Sequence, residues 1–329
     1  MNMTKISLLI RIFSVLVVTF YATAIKANVV VDISIVNPQH HYAEIKIEFD
    51  KLNTAQANFH LPTWRTGRYE IINLANGIRD FTALDSKGNE LKWQKVDKDT
   101  WQVQNTLNKK VTLSYQVYAN QLGQRTRHID DSHAFLDAST VVMYHDDFRD
   151  DKHIIDLHVP KDWRSVSGLE SGKKSIFSSR HKHQFIAKNY DVLVDSPIET
   201  GINEHHEFSV EGRDYELVIW GEGNYDSAKM VADLTVLVQQ GKHIWDDYPF
   251  KRYVFMVHAT SGARGATEHL NSTIIQTSRF KFSDRKDYLR FISTAAHEFV
   301  HTWNVKQYRP KGLVPYDYLK MRTIQPYFG

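Results

Sequence analysis

The chain has 329 residues, 42% of them hydrophobic and 24% charged, an ordinary globular composition that excludes long disorder, a collagen-like repeat and a coiled coil. Its formal charge of +3 does not describe a basic surface. Lys5, Arg11 and Lys26 lie in the first 27 residues, where no acid occurs, and beyond them the cations number 38 against 38 Asp and Glu. That balance excludes the electrostatic footprint of a nucleic-acid or anionic-bilayer binder, and the absence of cysteine excludes disulfide frameworks, thiolate metal sites and a cysteine nucleophile.

Residues 1–27 read as a secretory signal. A cationic start at Lys5 precedes an apolar stretch over residues 12–24, and small residues follow at Ala22, Ala24 and Ala27. The apolar run is shorter than the roughly 20 residues of a spanning helix. The expectation is an exported protein, periplasmic or extracellular, with no stable membrane anchor once the signal is cleaved.

Residues 28–197 carry strand patterning. Runs at 29–36, 42–49, 101–103, 111–117 and 154–159 alternate with period two or are rich in β-branched residues, and turn formers such as Asn37-Pro38 and Lys87-Gly88-Asn89 separate them. No helix of normal length is expected here, so the economical architecture is an antiparallel β-sandwich domain.

From residue 198 the pattern changes to a mixed α+β domain. Two further strands lead to Asp226, which caps a helix with Met230, Leu234, Leu237 and Ile244 at helical spacing. Strands follow at 253–259 and 272–277. Ser283 or Asp284 then starts a second helix, with Leu289, Ile292, Ala296, Phe299, Val300 and Trp303 forming its apolar stripe.

That helix contains His297-Glu298-Phe299-Val300-His301. Histidines at i and i+4 project from one face, so both imidazoles can reach a single zinc ion, while Glu298 is placed to handle the proton of a water. Upstream stands Gly265-Ala266-Thr267-Glu268-His269-Leu270-Asn271. A glycine-containing loop leading into a strand can set Glu268 against a substrate ammonium group, with a strand edge beside it.

Together these segments resemble the glycyl aminopeptidase family, zinc exopeptidases of the gluzincin group. The residues that carry the likeness are His297 to Lys306 with Arg309-Pro310, the Gly265 loop, Leu61-Pro-Thr-Trp64-Arg-Thr-Gly67-Arg-Tyr69, and Arg125-Thr-Arg-His-Ile-Asp130 with Ala134-Phe135. The resemblance implies a thermolysin-like catalytic domain after the β-sandwich. It implies His297 and His301 as ligands of Zn2+, Glu298 as general base, and Glu268 with Gly265 as the subsite for the free amino terminus of a peptide. It also implies small N-terminal residues, glycine or alanine, as those released.

The same resemblance expects a third zinc ligand, a glutamate on a following helix, then an oxyanion-stabilising tyrosine and a PDZ domain. These are not in the 329 residues. Asp317 is the carboxylate left after His301, and it reads as a turn residue rather than a ligand. The chain is therefore expected to be an N-terminal piece of such an enzyme, with weak metal retention. An inactive member of the same lineage and a secreted, non-catalytic β-rich binding module are the alternatives.

Overall fold

The computed structural model describes residues 28–67, 71–173, 175–177, 180–309 and 312–320, and each structural statement below concerns these residues. The expected signal at 1–27, Arg68 and Tyr69 of the first motif, and Pro310 lie outside them.

Alternation builds the first layer. In Tyr42–Phe49, the side chains of Ala43, Ile45, Ile47 and Phe49 are at most 2% exposed, while Glu44 and Lys46 face solvent. This strand lies inside an eight-stranded sheet with the order Glu170–Ser171, Arg180–Ala187, Lys152–Pro160, Asn28–Ser34, Tyr42–Phe49, Val111–Tyr118 and Ile78–Asp85, the short Ser175–Phe177 pairing with Arg180–Ala187. All pairings are antiparallel except Asn28–Ser34 with Lys152–Pro160, which the long intervening excursion of the chain permits. A three-stranded sheet of Gln56–His60, Thr100–Gln104 and Trp93–Asp97 supplies opposing aromatics, with the Phe49 and Phe59 rings 4.9 Å apart. The β-sandwich expected from the sequence is thus present. A five-residue helix, α1 (Tyr190–Val194), is capped by Asn189, whose side-chain oxygen accepts from Val192 N.

A second sheet has five strands in the order Glu204–Val210, Arg213–Trp220, Arg252–Ala259, Ser272–Thr277 and Gly265–Glu268. Its three central strands run parallel and its two edges antiparallel. Tyr253, Phe255 and Val257 of the middle strand face the helices α2 (Ser227–Gln240) and α3 (Arg285–Val300), joining Met230, Leu234, Phe291 and Phe299 in one core. Val254 and Met256 face the other way and pack with Val218 and Ile274 against Phe135 and Val166. Those last two belong to a four-stranded sheet, Arg164–Ser167, Ile198–Gly201, His133–Leu136 and Arg127–Ile129. Burial on both faces is why residues 253–259 read as an unbroken apolar run.

Helix α3 starts as the sequence suggests, with Asp284 accepting from Asp287 N at 2.9 Å, but its stripe is rotated. Tyr288, Phe291, Ala295 and Phe299 are the buried residues that meet the sheet, joined by Trp303 beyond the helix. Leu289, Ile292, Ala296 and Val300 instead line an open hollow of about 910 Å³ between α2 and α3, where Leu289 is 50% exposed. The helix has two apolar edges, and periodicity cannot say which one meets a sheet. Similarly, Ile244 ends 65% exposed at that hollow rather than in the α2 core.

After α3 the chain returns to the first core. Tyr316 and Tyr318 are buried there, Arg149 donates to the Tyr316 carbonyl at 2.6 Å, and Tyr318 donates to Asp191 at 2.8 Å. No helix among the described residues is long and apolar enough to cross a membrane.

Candidate active site

His297 lies on the exposed side of the last turn of α3, and His301 caps its C-terminus. One turn of backbone brings their Nε2 atoms to 3.0 Å, with the ring planes at 87°. His301 Nδ1 faces the Asn304 carbonyl at 3.2 Å, a partner that requires an N–H on Nδ1 and leaves the Nε2 lone pair directed toward His297. Two imidazole nitrogens converging in this way fit a zinc ion, whose ligand nitrogens stand at about 2.0–2.1 Å.

Glu298 points from the same turn into the protein. It is 6% exposed, and its Oε2 is buried without a hydrogen-bond partner among the described residues. Burial, reinforced by the neighbouring Glu268 carboxylate, pushes its pKa up to about 7 against the opposing charges of Arg125 and Lys306. A carboxyl poised near neutrality can both accept and return a proton.

Glu268 and Gly265 are the two ends of the edge strand Gly265–Glu268, which pairs with Ser272–Thr277 so that Gly265 stands opposite Gln276 and Glu268 opposite Thr273. Gly265 has φ +128°, a conformation that L side chains rarely adopt, and a Cβ on it would lie 2.5 Å from the Gln124 side chain. Between this strand and α3 runs a cleft of about 530 Å³ lined by Gly265, Ala266, His297 and Glu298. Glu268 sits deeper, 5% exposed, its Oε1 buried and unpartnered among the described residues. Gly67 of the first domain, at φ +82°, approaches it so closely that a Cβ there would be 3.3 Å from Oε1. The larger hollow on the opposite edge of α3 contains none of these polar groups.

A charged network that the sequence analysis did not single out underlies the cleft. Lys306, 2% exposed, donates to Asp195 Oδ1 at 2.7 Å, and His269 Nδ1 approaches the same oxygen at 3.3 Å. Burial pushes Asp195 up, but Lys306 and His269 outweigh it and hold its carboxyl at about 2. Arg65, 1% exposed, donates to Asp137 at 2.7 Å. The sequence carries no local signal for this network, since Lys306 and Arg65 both stand among other polar residues.

Among the described residues, no third His, Asp or Glu converges with His297 and His301. Asp317 is a turn residue, its Oδ1 accepting from Leu319 N and Lys320 N at 3.1 Å. Tyr316 and Tyr318 are committed to the first core.

The chain is similar in sequence to two family models: the peptidase M61 N-terminal domain over residues 30–202, and M61 glycyl aminopeptidase over residues 290–328. No protein of curated function matches it significantly in sequence. Among solved structures, it is similar to an aminopeptidase N family protein from Idiomarina loihiensis, at a TM-score of 0.82 and 27% identity, over 89% of this chain and 50% of that one. The chain thus spans half the length of that relative. It also shares the fold of an M1 zinc metallopeptidase from Deinococcus radiodurans, at a TM-score of 0.53 and 12% identity, over 84% of this chain and 64% of that one. A variant of that enzyme bound to a Tyr-Ser-Ala substrate matches at a TM-score of 0.53 and 11% identity, with the same shares covered.

Proposed function

Because the chain belongs to the M61 peptidase family, we propose that it carries the metal- and amine-recognising part of an exported zinc aminopeptidase, periplasmic or extracellular, that releases glycine or alanine from peptides with a free N-terminus. The observation that carries this reading is the convergence of His297 and His301 Nε2 at 3.0 Å beside the buried Glu298, whose Oε2 has no hydrogen-bond partner among the described residues.

In this reading His297 and His301 hold zinc, which when bound lowers the pKa of water and polarises a peptide carbonyl. Glu298 takes the proton of the attacking water at its carboxylate and later returns it to the leaving nitrogen, a role its raised pKa suits. Glu268 supplies a buried negative charge that pairs with the substrate ammonium, and burial strengthens that pairing over its value in water. The edge strand Gly265–Glu268 offers main-chain groups along which a short peptide can lie.

A catalytic zinc needs three protein ligands, and the described residues bring together two. This favours a second reading for the chain by itself, in which zinc is held weakly and turnover is low until a third ligand is supplied. Metal analysis after dialysis and assay of free glycine from short glycyl peptides test both. Loss of one zinc equivalent per chain with His297→Ala supports the metal assignment. Unchanged binding in that variant, or equal cleavage of N-acetylated and free peptides, rules out the proposed site.

A further inference from the structure

A second group of metal-ligating side chains lies away from α3, in the seam between the four-stranded and five-stranded sheets. His133 begins the strand His133–Leu136, Glu199 lies in its neighbour Ile198–Gly201, and His258 is the residue of Arg252–Ala259 that follows Val254 and Met256 on the seam face. Their exposures are 0%, 1% and 0%, and one ligand atom from each lies within 4.8 Å of the other two. His258 Nε2 is 2.8 Å from Glu199 Oε2. His133 Nε2 is buried and has no hydrogen-bond partner among the described residues.

The surroundings orient these donors. His133 Nδ1 faces Asp130 Oδ1 at 3.4 Å, and that oxygen also accepts from Ser132 N, Ser132 Oγ and His133 N. A proton held on Nδ1 leaves Nε2 with its lone pair, the arrangement in which a carboxylate backs a metal-binding imidazole. The ring is clamped against Trp220, centroids 3.5 Å apart and planes at 20°. Behind His258 stands the Gln276 amide, its Nε2 3.1 Å from Nδ1. Either end of an amide can occupy that position; with its oxygen there, His258 carries its proton on Nδ1 and Nε2 becomes a donor to a cation. Asn203 donates to the other oxygen of Glu199 at 3.2 Å.

We propose that His133, Glu199 and His258 form a second metal site, buried in the inter-sheet seam, for zinc or a similar divalent d-block ion. Two imidazole nitrogens and one carboxylate oxygen are the donor set such an ion prefers. The charges also close: a dication balances the carboxylates of Glu199 and Asp130, and no Lys or Arg pairs with Glu199 among the described residues. The three ligands come from two sheets, so the ion acts as a staple between them rather than as a catalytic centre. The site is independent of the proposed peptidase reaction.

The test uses the full chain carrying His297→Ala and His301→Ala, which removes the pair at the exposed end of α3 and leaves the seam intact. After zinc loading and dialysis this double variant should keep about one zinc per chain and show a melting temperature roughly 5 °C higher at a hundredfold zinc excess over Kd. Adding the isosteric Glu199→Gln, or His133→Gln, should lower zinc affinity by at least about tenfold. A folded double variant that keeps no zinc overturns the proposal. So does zinc that persists through both seam substitutions, which assigns it to surface histidines. Should the seam substitutions unfold the chain, the cobalt-loaded double variant decides: strong visible bands of a low-coordinate buried site support the proposal, and the weak spectrum of a hydrated ion overturns it.

Discussion

Lys306 Nζ donates to Asp195 Oδ1 at 2.7 Å with both groups buried, and this bond joins the segment after the metal-motif helix to the segment that follows α1. The two residues are far apart in sequence and belong to the two halves of the fold. Removing one partner strands a buried charge, so Lys306→Met or Asp195→Asn should each cost about 3–5 kcal/mol of stability, while the double variant should cost much less than the sum. Urea unfolding of the three variants measures the coupling.

The same pair sets an acid dependence. The Asp195 carboxyl is held at about 2 in the folded chain against an ordinary 3.8. A depressed folded pKa means that this contribution is fully present above pH 4 and is lost as pH falls toward 2, by about 2–3 kcal/mol. Unfolding free energies measured from pH 6 to pH 2 should show this loss in the wild type and a smaller loss in Asp195→Asn.

Glu298 works in the opposite direction. Its pKa is raised from 4.5 to about 7, so the metal-free folded chain binds the proton more tightly than the unfolded chain does, and stability falls as pH rises from 4.5 through 7. Glu298→Gln should therefore stabilise the metal-free chain by about 2–3 kcal/mol at pH 8 and by little at pH 4. Under the proposed peptidase reading, any glycine release by the zinc-loaded chain should drop by at least about a hundredfold in the same variant, because no group remains to take the proton. Thermal melts at the two pH values and a glycine-release assay read these effects separately.

Glu268→Gln should weaken the binding of peptides with a free N-terminus by about 10–100-fold and leave N-acetylated peptides unaffected, since one charge-assisted bond contributes about 1.5–3 kcal/mol. Calorimetric titration with paired free and acetylated peptides measures the difference. Equal loss for both would show that Glu268 supports the cleft rather than reading the amine.

Gly265→Ala should destabilise the edge strand by about 1–3 kcal/mol, chiefly through the φ of +128°. The Gln124 side chain that a Cβ would meet can swing aside, so the clash adds little. Faster hydrogen exchange of the Gly265–Glu268 amides, with α2 unaffected, is the expected signature.

Much of this protein was legible before any coordinates. The alternation in Tyr42–Phe49, the Asp226 and Asp284 caps, and the i, i+4 histidines are local features, each arising from the geometry of a single strand or helix turn. What lay beyond local pattern was which surfaces meet. Leu289 and Ile292 share a helix with Tyr288 and Phe291, and only the position of the sheet decides that the second pair is buried. His258 looks like one more residue of an apolar run until Glu199 and His133 arrive from another sheet. The Lys306–Asp195 bond likewise arises from residues brought together at a domain seam. Charges and imidazoles acquire their partners, and hence their protonation and metal affinity, from contacts across long chain separations, and side-chain periodicity does not encode those contacts.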